Sequence, residues 1–152
     1  MPPAGASWRG EQLSLLAKLL HSRQSSKNFE DLLKDAKVEF DQACVFGELD
    51  ERQVLERCRN FELLDQDLRR QKCLDPELVG QLATSKAEGY RLWQEAKVSA
   101  DFACFAPALK NLITLRREQA RQLDEPRSCW ETLAQPFEPD LTIARMQDLF
   151  AP

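Results

Sequence analysis

The sequence predicts an all-α protein, an elongated bundle of about five to seven helices. Three observations carry that prediction. Apolar residues recur at a period near 3.6 in one segment after another, while alternation with period two never lasts. Runs of β-branched residues are absent, and only 5 of the 152 residues are glycine. Side chains suited to capping stand just ahead of several apolar runs.

Residues 7–23 read as a first helix, with Leu13, Leu16, Ala17 and Leu20 on its core face and Glu11, Lys18 and Arg23 elsewhere. Ser26 caps a short second helix carrying Phe29, Leu32, Leu33 and Ala36. Residues 37–47 are ambiguous, although Phe40, Ala43 and Cys44 fit a helical stripe that Gly47 would terminate. A clearer helix opens at Asp50, whose carboxylate and Gln53 form a capping box. Val54, Cys58, Phe61 and Leu68 share one face of it, with Leu64 filling the stripe.

Asp75 caps the next helix and Pro76 takes its first position, where no amide donor is missed. Leu78, Leu82, Gly89, Trp93 and Ala96 follow at helical spacing. Gly89 either lets a neighbouring helix approach closely or simply costs about 1 kcal/mol of propensity. The stretch "ADFACFAPALKNLITLRREQA" then reads as a tight corner between two long antiparallel helices. Asp101 accepts free amides, Phe102 and Phe105 staple the entering chain to the core, and Pro107 presets the first turn. Leu109, Leu112, Ile113, Ala120 and Leu123 continue the stripe. The last segment is punctuated by Pro126, Pro136 and Pro139, after which Thr142 caps a two-turn helix bearing Ile143, Met146, Leu149 and Phe150. That apolar face meets nothing the chain obviously supplies, so self-association, with a homodimer as one form, is expected. The expected core comprises Leu16, Phe61, Leu82, Trp93, Phe102, Phe105 and Leu112.

With 21 basic and 25 acidic side chains the formal charge is −4. That balance argues against a nucleic-acid surface, which needs a concentrated basic face. Arg69, Arg70 and Lys72 are interleaved with acids and read as a solvated helix face. The first ten residues lack the apolar core of a secretory signal, and "LSLLAKLL" at 13–20 is far too short to cross a bilayer. Cysteines 44, 58, 73, 104 and 129 lack the spacing of a zinc or redox motif. They read as buried free thiols in a reducing cytosol, which makes the expected location cytoplasmic.

Catalytic chemistry is not visible in the residues themselves. His21 is the sole histidine and reads as an exposed polar residue near a helix end. No His, Cys and carboxylate cluster has metal-ligand spacing, and there is no Gly-rich phosphate loop, nucleophile elbow or Ser-x-x-Lys pair.

The order of three motifs is nonetheless distinctive. "MPPAGASWRGEQLSLLAKLLH", with Met1, Pro2 and Arg9, resembles the segment that opens a long helix near the start of the Taq-type thermostable metallocarboxypeptidases. "DPELVGQLATSKAEGYRLWQEAKVSADFACFAPALKNLITLRREQA" is similar to that family's next signature, through Pro76, Glu77, Leu78, Trp93, Asp101, Phe102, Phe105 and Pro107. "FEPDLTIARMQDLFA" resembles a third segment through Glu138, Pro139 and Thr142. Ala108 stands where the family usually carries a larger ring, and Asp140 where it usually has glycine. The likeness runs from Met1 to Ala151. It implies that residues 1–152 are a single helical region, the N-terminal helical wall of a larger single-domain enzyme that removes C-terminal residues from peptides. The complete family enzymes hold zinc or cobalt through a His-Glu-x-x-His helix and a downstream glutamate. This chain has no counterpart of those residues, so the resemblance implies that it binds no cofactor, has no catalytic or metal residue of its own, and needs the missing C-terminal catalytic portion as its partner. Two other readings stay open: a stand-alone helical interaction module derived from the family, and an unrelated helical adaptor.

Overall fold

The computed structural model describes residues 5–139 and 141–151, the side chains of Ala6 and Ser7 apart. Met1, Pro2 and Asp140, singled out in the sequence, lie outside the described residues. Among the described residues there are seven α-helices and no strand: α1 (Ala6–Gln24), α2 (Lys27–Val45), α3 (Glu51–Cys73), α4 (Pro76–Ser99), α5 (Ala106–Leu123), α6 (Cys129–Ala134) and α7 (Ile143–Phe150). A single 3₁₀ turn, Phe102–Cys104, joins α4 to α5. No helix among the described residues is long and apolar enough to cross a membrane.

Local chemistry sets the helix ends. The Ser26 hydroxyl accepts the Phe29 amide, and Asp50 and Gln53 exchange both bonds of a capping box. Asp75 accepts the Glu77 amide, with Pro76 following it in the first turn of α4. The ambiguous stretch at 37–47 is simply the second half of α2. It ends where Gly47, at φ +67°, turns left-handed, so that its amide bonds the Cys44 carbonyl and the Glu48 amide bonds the Ala43 carbonyl. That pair is a Schellman stop, which a residue with a Cβ would strain.

α4 is the hub. Gly10 approaches Thr84, Ser14 and Lys18 approach Gly80, and Lys18 pairs with Glu77 at 2.7 Å, so α1 runs antiparallel to α4. On another face, Asn111 donates to Ser85 and Gln122 accepts the Asp75 amide, which makes α5 antiparallel to α4 as well. The close approach sits at Gly80, where an added Cβ would come 2.3 Å from Lys18 Cε and 2.6 Å from Ser14 Oγ. Gly89 is buried, but an added Cβ there meets nothing within 4 Å, so it is not the close-approach glycine.

The helix α1 is turned the opposite way from its leucine pattern. The stripe facing α4 is small and polar: Gly10, Ser14, Ala17, Lys18 and His21. Leu16 is 61% exposed, and Leu15, Leu19 and Leu20 are also mostly exposed. His21, expected at the surface, is 4% exposed, and its Nδ1 lies 2.9 Å from Gln71 Oε1 of α3. Burial of an imidazole requires such a partner, and α3 provides it.

Other core expectations divide. Leu82 is buried, and Phe61, Phe105 and Leu112 are half-buried. Phe102 is 64% exposed and stacks edge-on with Phe105 at 6.1 Å, rather than entering the core. Trp93 is 41% exposed, flanked by Tyr90 and by the Lys97 ammonium 4.9 Å from its ring centre. The buried apolar set is Leu33, Phe40, Leu68, Leu78, Leu82, Ala96, Ala120 and Leu123. Cys58, Cys73, Cys104 and Cys129 are exposed and Cys44 is half-buried, so the thiols are free but not buried. They fall on the outer faces of helices that have too few neighbours to cover them.

The helices α2 and α3 form an antiparallel hairpin held by the Phe40–Phe61 ring contact, 5.4 Å between centres, and by ion pairs Lys72–Glu30 and Lys37–Asp65. Glu30 also meets Lys34 at 2.9 Å. Lys72 first, then Lys34, hold its carboxyl down to about 2 from an ordinary 4.5.

The accessible surface totals 11260 Å². A compact monomer of this chain's 17.5 kDa would expose only about 7,900 Å². The helices therefore form an open, elongated array that leaves Trp8, Val45, Phe46, Leu55, Val98 and Phe137 bare.

Replacing a buried anchor should cost more than replacing a half-exposed ring. Leu82→Ala is expected to lose about 2–5 kcal/mol in denaturant melts and Trp93→Ala only about 1–2. A larger loss at Trp93 would place that ring in the core after all. Because the folded pKa of Glu30 is depressed, its stabilisation is present above the unfolded value near 4.5 and is lost as pH falls toward about 2. Glu30→Gln should therefore melt below the parent chain at pH 7, and the two should converge by about pH 2; parallel curves across that window would contradict the assignment.

Candidate functional site

The signature residues of the sequence do not converge on one centre. Pro76, Glu77 and Leu78 lie in the first turn of α4, with Glu77 reaching across to Lys18. Trp93 stands seventeen residues further along α4, about 25 Å away at helical rise. Asp101 accepts the Ala103 amide at 2.9 Å, and Pro107 sits in the first turn of α5, so this group builds the α4–α5 corner. Arg9 is exposed on α1. Glu138 and Pro139 lie in the turn after α6, and Thr142 caps α7 by accepting the Arg145 amide. Pro76, Asp101, Pro107 and Thr142 are helix-start or corner positions, Glu77 pairs α4 with α1, and Arg9 and Trp93 lie exposed on their helices.

Sequence reasoning missed α6, reading its region as proline-punctuated chain. The signal was present in Ser128-Cys129-Trp130-Glu131, a capping box in which Ser128 accepts the Glu131 amide and Glu131 accepts the Ser128 amide. The other Glu131 oxygen accepts the Ile143 amide at 2.9 Å, tying α7 back to α6. That bond, followed by those from Ser128, holds the Glu131 carboxyl below its usual range. Arg70, expected to be solvated, is instead partly buried: it pairs with Glu125 and donates to the Thr132 carbonyl at 2.9 Å. One guanidinium thereby links α3, the α5–α6 connection and α6.

Hollows of different character border these elements. A polar groove of about 250 Å³ runs over α4 between α1 and α5, lined by Ser14, Lys18, Glu77, Gln81, Thr84 and Asn111 among others. Its one cation and one carboxylate neutralise each other. An apolar hollow of about 280 Å³ lies between Trp130 and the α7 face of Ile143, Met146 and Phe150. Trp130 thus borders a face that was expected to meet nothing. Lys86 is held below its ordinary value by partial desolvation of its ammonium and then by Arg116, although its side chain still reaches solvent.

A hydrolytic metal centre needs about three protein ligands around one open position. Among the described residues no group of three or more His, Cys, Asp or Glu is placed to hold a metal ion. His21 is engaged with Gln71 inside the helix junction, away from either hollow's lining. The donor set among the described residues does not fit such a site.

Comparison with known proteins gives these elements a context. A sequence model described as the carboxypeptidase Taq (M32) metallopeptidase matches residues 1–152. Thermostable carboxypeptidase 1 of Thermus thermophilus is 28% identical over 160 residues, covering 99% of this chain and 30% of that protein. Its namesake from Pyrococcus furiosus is 23% identical over 155 residues, covering 99% and 28% respectively. A chain from the BsuCP crystal structure shares the fold, with a TM-score of 0.82 at 22% identity over 99% of this chain and 28% of its own. The chain thus spans less than a third of the length of the relatives it matches.

The Arg70 junction generates a direct test. Arg70→Met leaves Glu125 partly buried without its partner, so it should lower stability by about 1.5–3 kcal/mol in urea melts. Loss of under about 0.5 kcal/mol would mean that the guanidinium is a surface decoration.

Proposed function

The chain belongs to the carboxypeptidase Taq (M32) metallopeptidase family, and from that premise we propose that it is the N-terminal helical portion of a metal-dependent carboxypeptidase. It supplies the scaffold beside a peptide-binding groove. The metal, zinc or cobalt by family resemblance, and the groups that activate water come from a separate catalytic portion that completes the same single domain. By itself the chain hydrolyses nothing. The five unpaired cysteines suit a reducing, cytoplasmic setting.

The observation that carries this reading is the orientation of α1. Its polar stripe is used against α4, while Leu15, Leu16, Leu19 and Leu20 face outward, each more than half exposed. A helix apolar on the side away from its own neighbours is one that a further layer covers. The surplus of surface over a compact monomer, on the order of 3,000 Å², matches the scale of an obligate interface. The share of the relatives' length left unmatched is large enough to provide that layer.

Incubated with peptides, the isolated chain is expected to release no C-terminal amino acid, with or without added zinc or cobalt. Mixed with a separately produced family segment bearing His-Glu-x-x-His, it should raise cleavage above that segment's own level. Leu16→Glu/Leu20→Glu should abolish that gain while leaving the α1–α4 contact intact. Metal-dependent cleavage by this chain alone, surviving repurification and His21→Ala, would overturn the proposal, as would complementation indifferent to the two leucines.

A further inference from the structure

A further cleft, of about 610 Å³, opens between α3 and the chain that follows α5. Among the described residues four arginines line it, Arg59, Arg69, Arg70 and Arg127, against one carboxylate, Glu125. The whole chain carries −4, so this is a positive trough on an acidic molecule, where the field favours an anionic visitor. Not every cation is available. Arg70 is committed to Glu125 and the Thr132 carbonyl, and Arg59 bonds Glu62 at 2.9 Å. The guanidiniums of Arg69 and Arg127 make no ion pair or side-chain hydrogen bond among the described residues. Arg127 acts only weakly, through space, on Glu131, whose oxygens accept the Ser128 and Ile143 amides and the Ser128 hydroxyl. An arginine fork left open on each wall of a cleft is suited to bidentate capture of carboxylates.

The shape narrows the visitor further. The α3 wall reaches from Arg59 to Cys73, fourteen residues or about 21 Å of helix. An extended peptide covers that length in about six residues, whereas a single small anion would occupy one end. Gln66, between the arginines on the same wall, can both donate to and accept from a peptide backbone. We propose that this arginine-lined cleft binds an extended acidic peptide segment, with carboxylate side chains seated on Arg69 and Arg127. The inference stands on the cleft itself and is independent of whether the chain completes a carboxypeptidase.

The test is a fluorescence-anisotropy titration of labelled hexaglutamate with the full chain, using hexaglutamine, inorganic phosphate and a short single-stranded oligonucleotide as competitors. Hexaglutamate should bind at low ionic strength, weaken as salt rises, and be displaced by unlabelled hexaglutamate far better than by the three competitors. Arg69→Gln/Arg127→Gln should lose about tenfold or more in affinity with an unchanged circular-dichroism melt, because neither guanidinium holds the fold together. Lys110→Gln, removing an exposed charge on α5, should bind as the parent does. The proposal fails if hexaglutamine competes equally, if the double variant binds unchanged, or if Lys110→Gln loses as much. Displacement by phosphate at peptide-like concentrations would reveal a small-anion site instead. Stronger displacement by the oligonucleotide would reveal a nucleic-acid site.

Discussion

The close contact of α1 with α4 at Gly80 governs how everything else is arranged. Without a Cβ there, Ser14 and the Lys18 stem lie directly on the α4 backbone, and the Lys18 ammonium reaches Glu77. Small residues bring helix axes together, and that closeness allows α1 to use Gly10, Ser14 and Ala17 as a contact face. The leucines are then forced outward. The same orientation carries His21 into the junction with α3, where Gln71 satisfies its ring nitrogen. One missing side chain thus determines which α1 residues are buried and which are left bare.

The rest of the array is held by polar groups at helix ends more than by a continuous apolar core. Gln122 accepts the Asp75 amide and fastens α5 to the start of α4. Arg70 spans three elements, and Glu131 joins α6 to α7 while closing its own capping box. Such contacts fix direction and register, since a hydrogen bond at about 2.9 Å tolerates little displacement. They contribute modest net stability, because each replaces a bond to water. The array is therefore directionally specified but thinly buried, which agrees with its accessible surface of 11260 Å².

The chain belongs to the M32 family, and among the described residues no group of side chains is placed to hold a metal ion. Of the positions that carry the sequence resemblance, Pro76, Asp101, Pro107 and Thr142 serve helix starts and the α4–α5 corner, where backbone constraints leave few acceptable residues.

By itself the sequence determined what is local. Ser26, Asp50, Asp75, Asp101 and Thr142 were legible as caps, because a capping oxygen bonds amides two or three residues ahead and needs no distant partner. Helical period and the Gly47 stop were legible for the same reason, and so was the family likeness, which resides in the spacing of corners and caps. Ser128 and Glu131 could have been read in the same way, but the surrounding prolines hid a helix of only six residues. What the tertiary structure alone decided is which face of each helix turns inward. Leucines at helical spacing specify a stripe, but the stripe is buried only if a neighbour lies against it. For α1 that neighbour, α4, sits on the other side, because Gly80 admits the polar stripe more closely than a leucine stripe could come. Trp93, Phe102, His21 and the cysteines were misjudged for the same physical reason: burial belongs to a pair of surfaces, and the sequence of one helix describes only one of them.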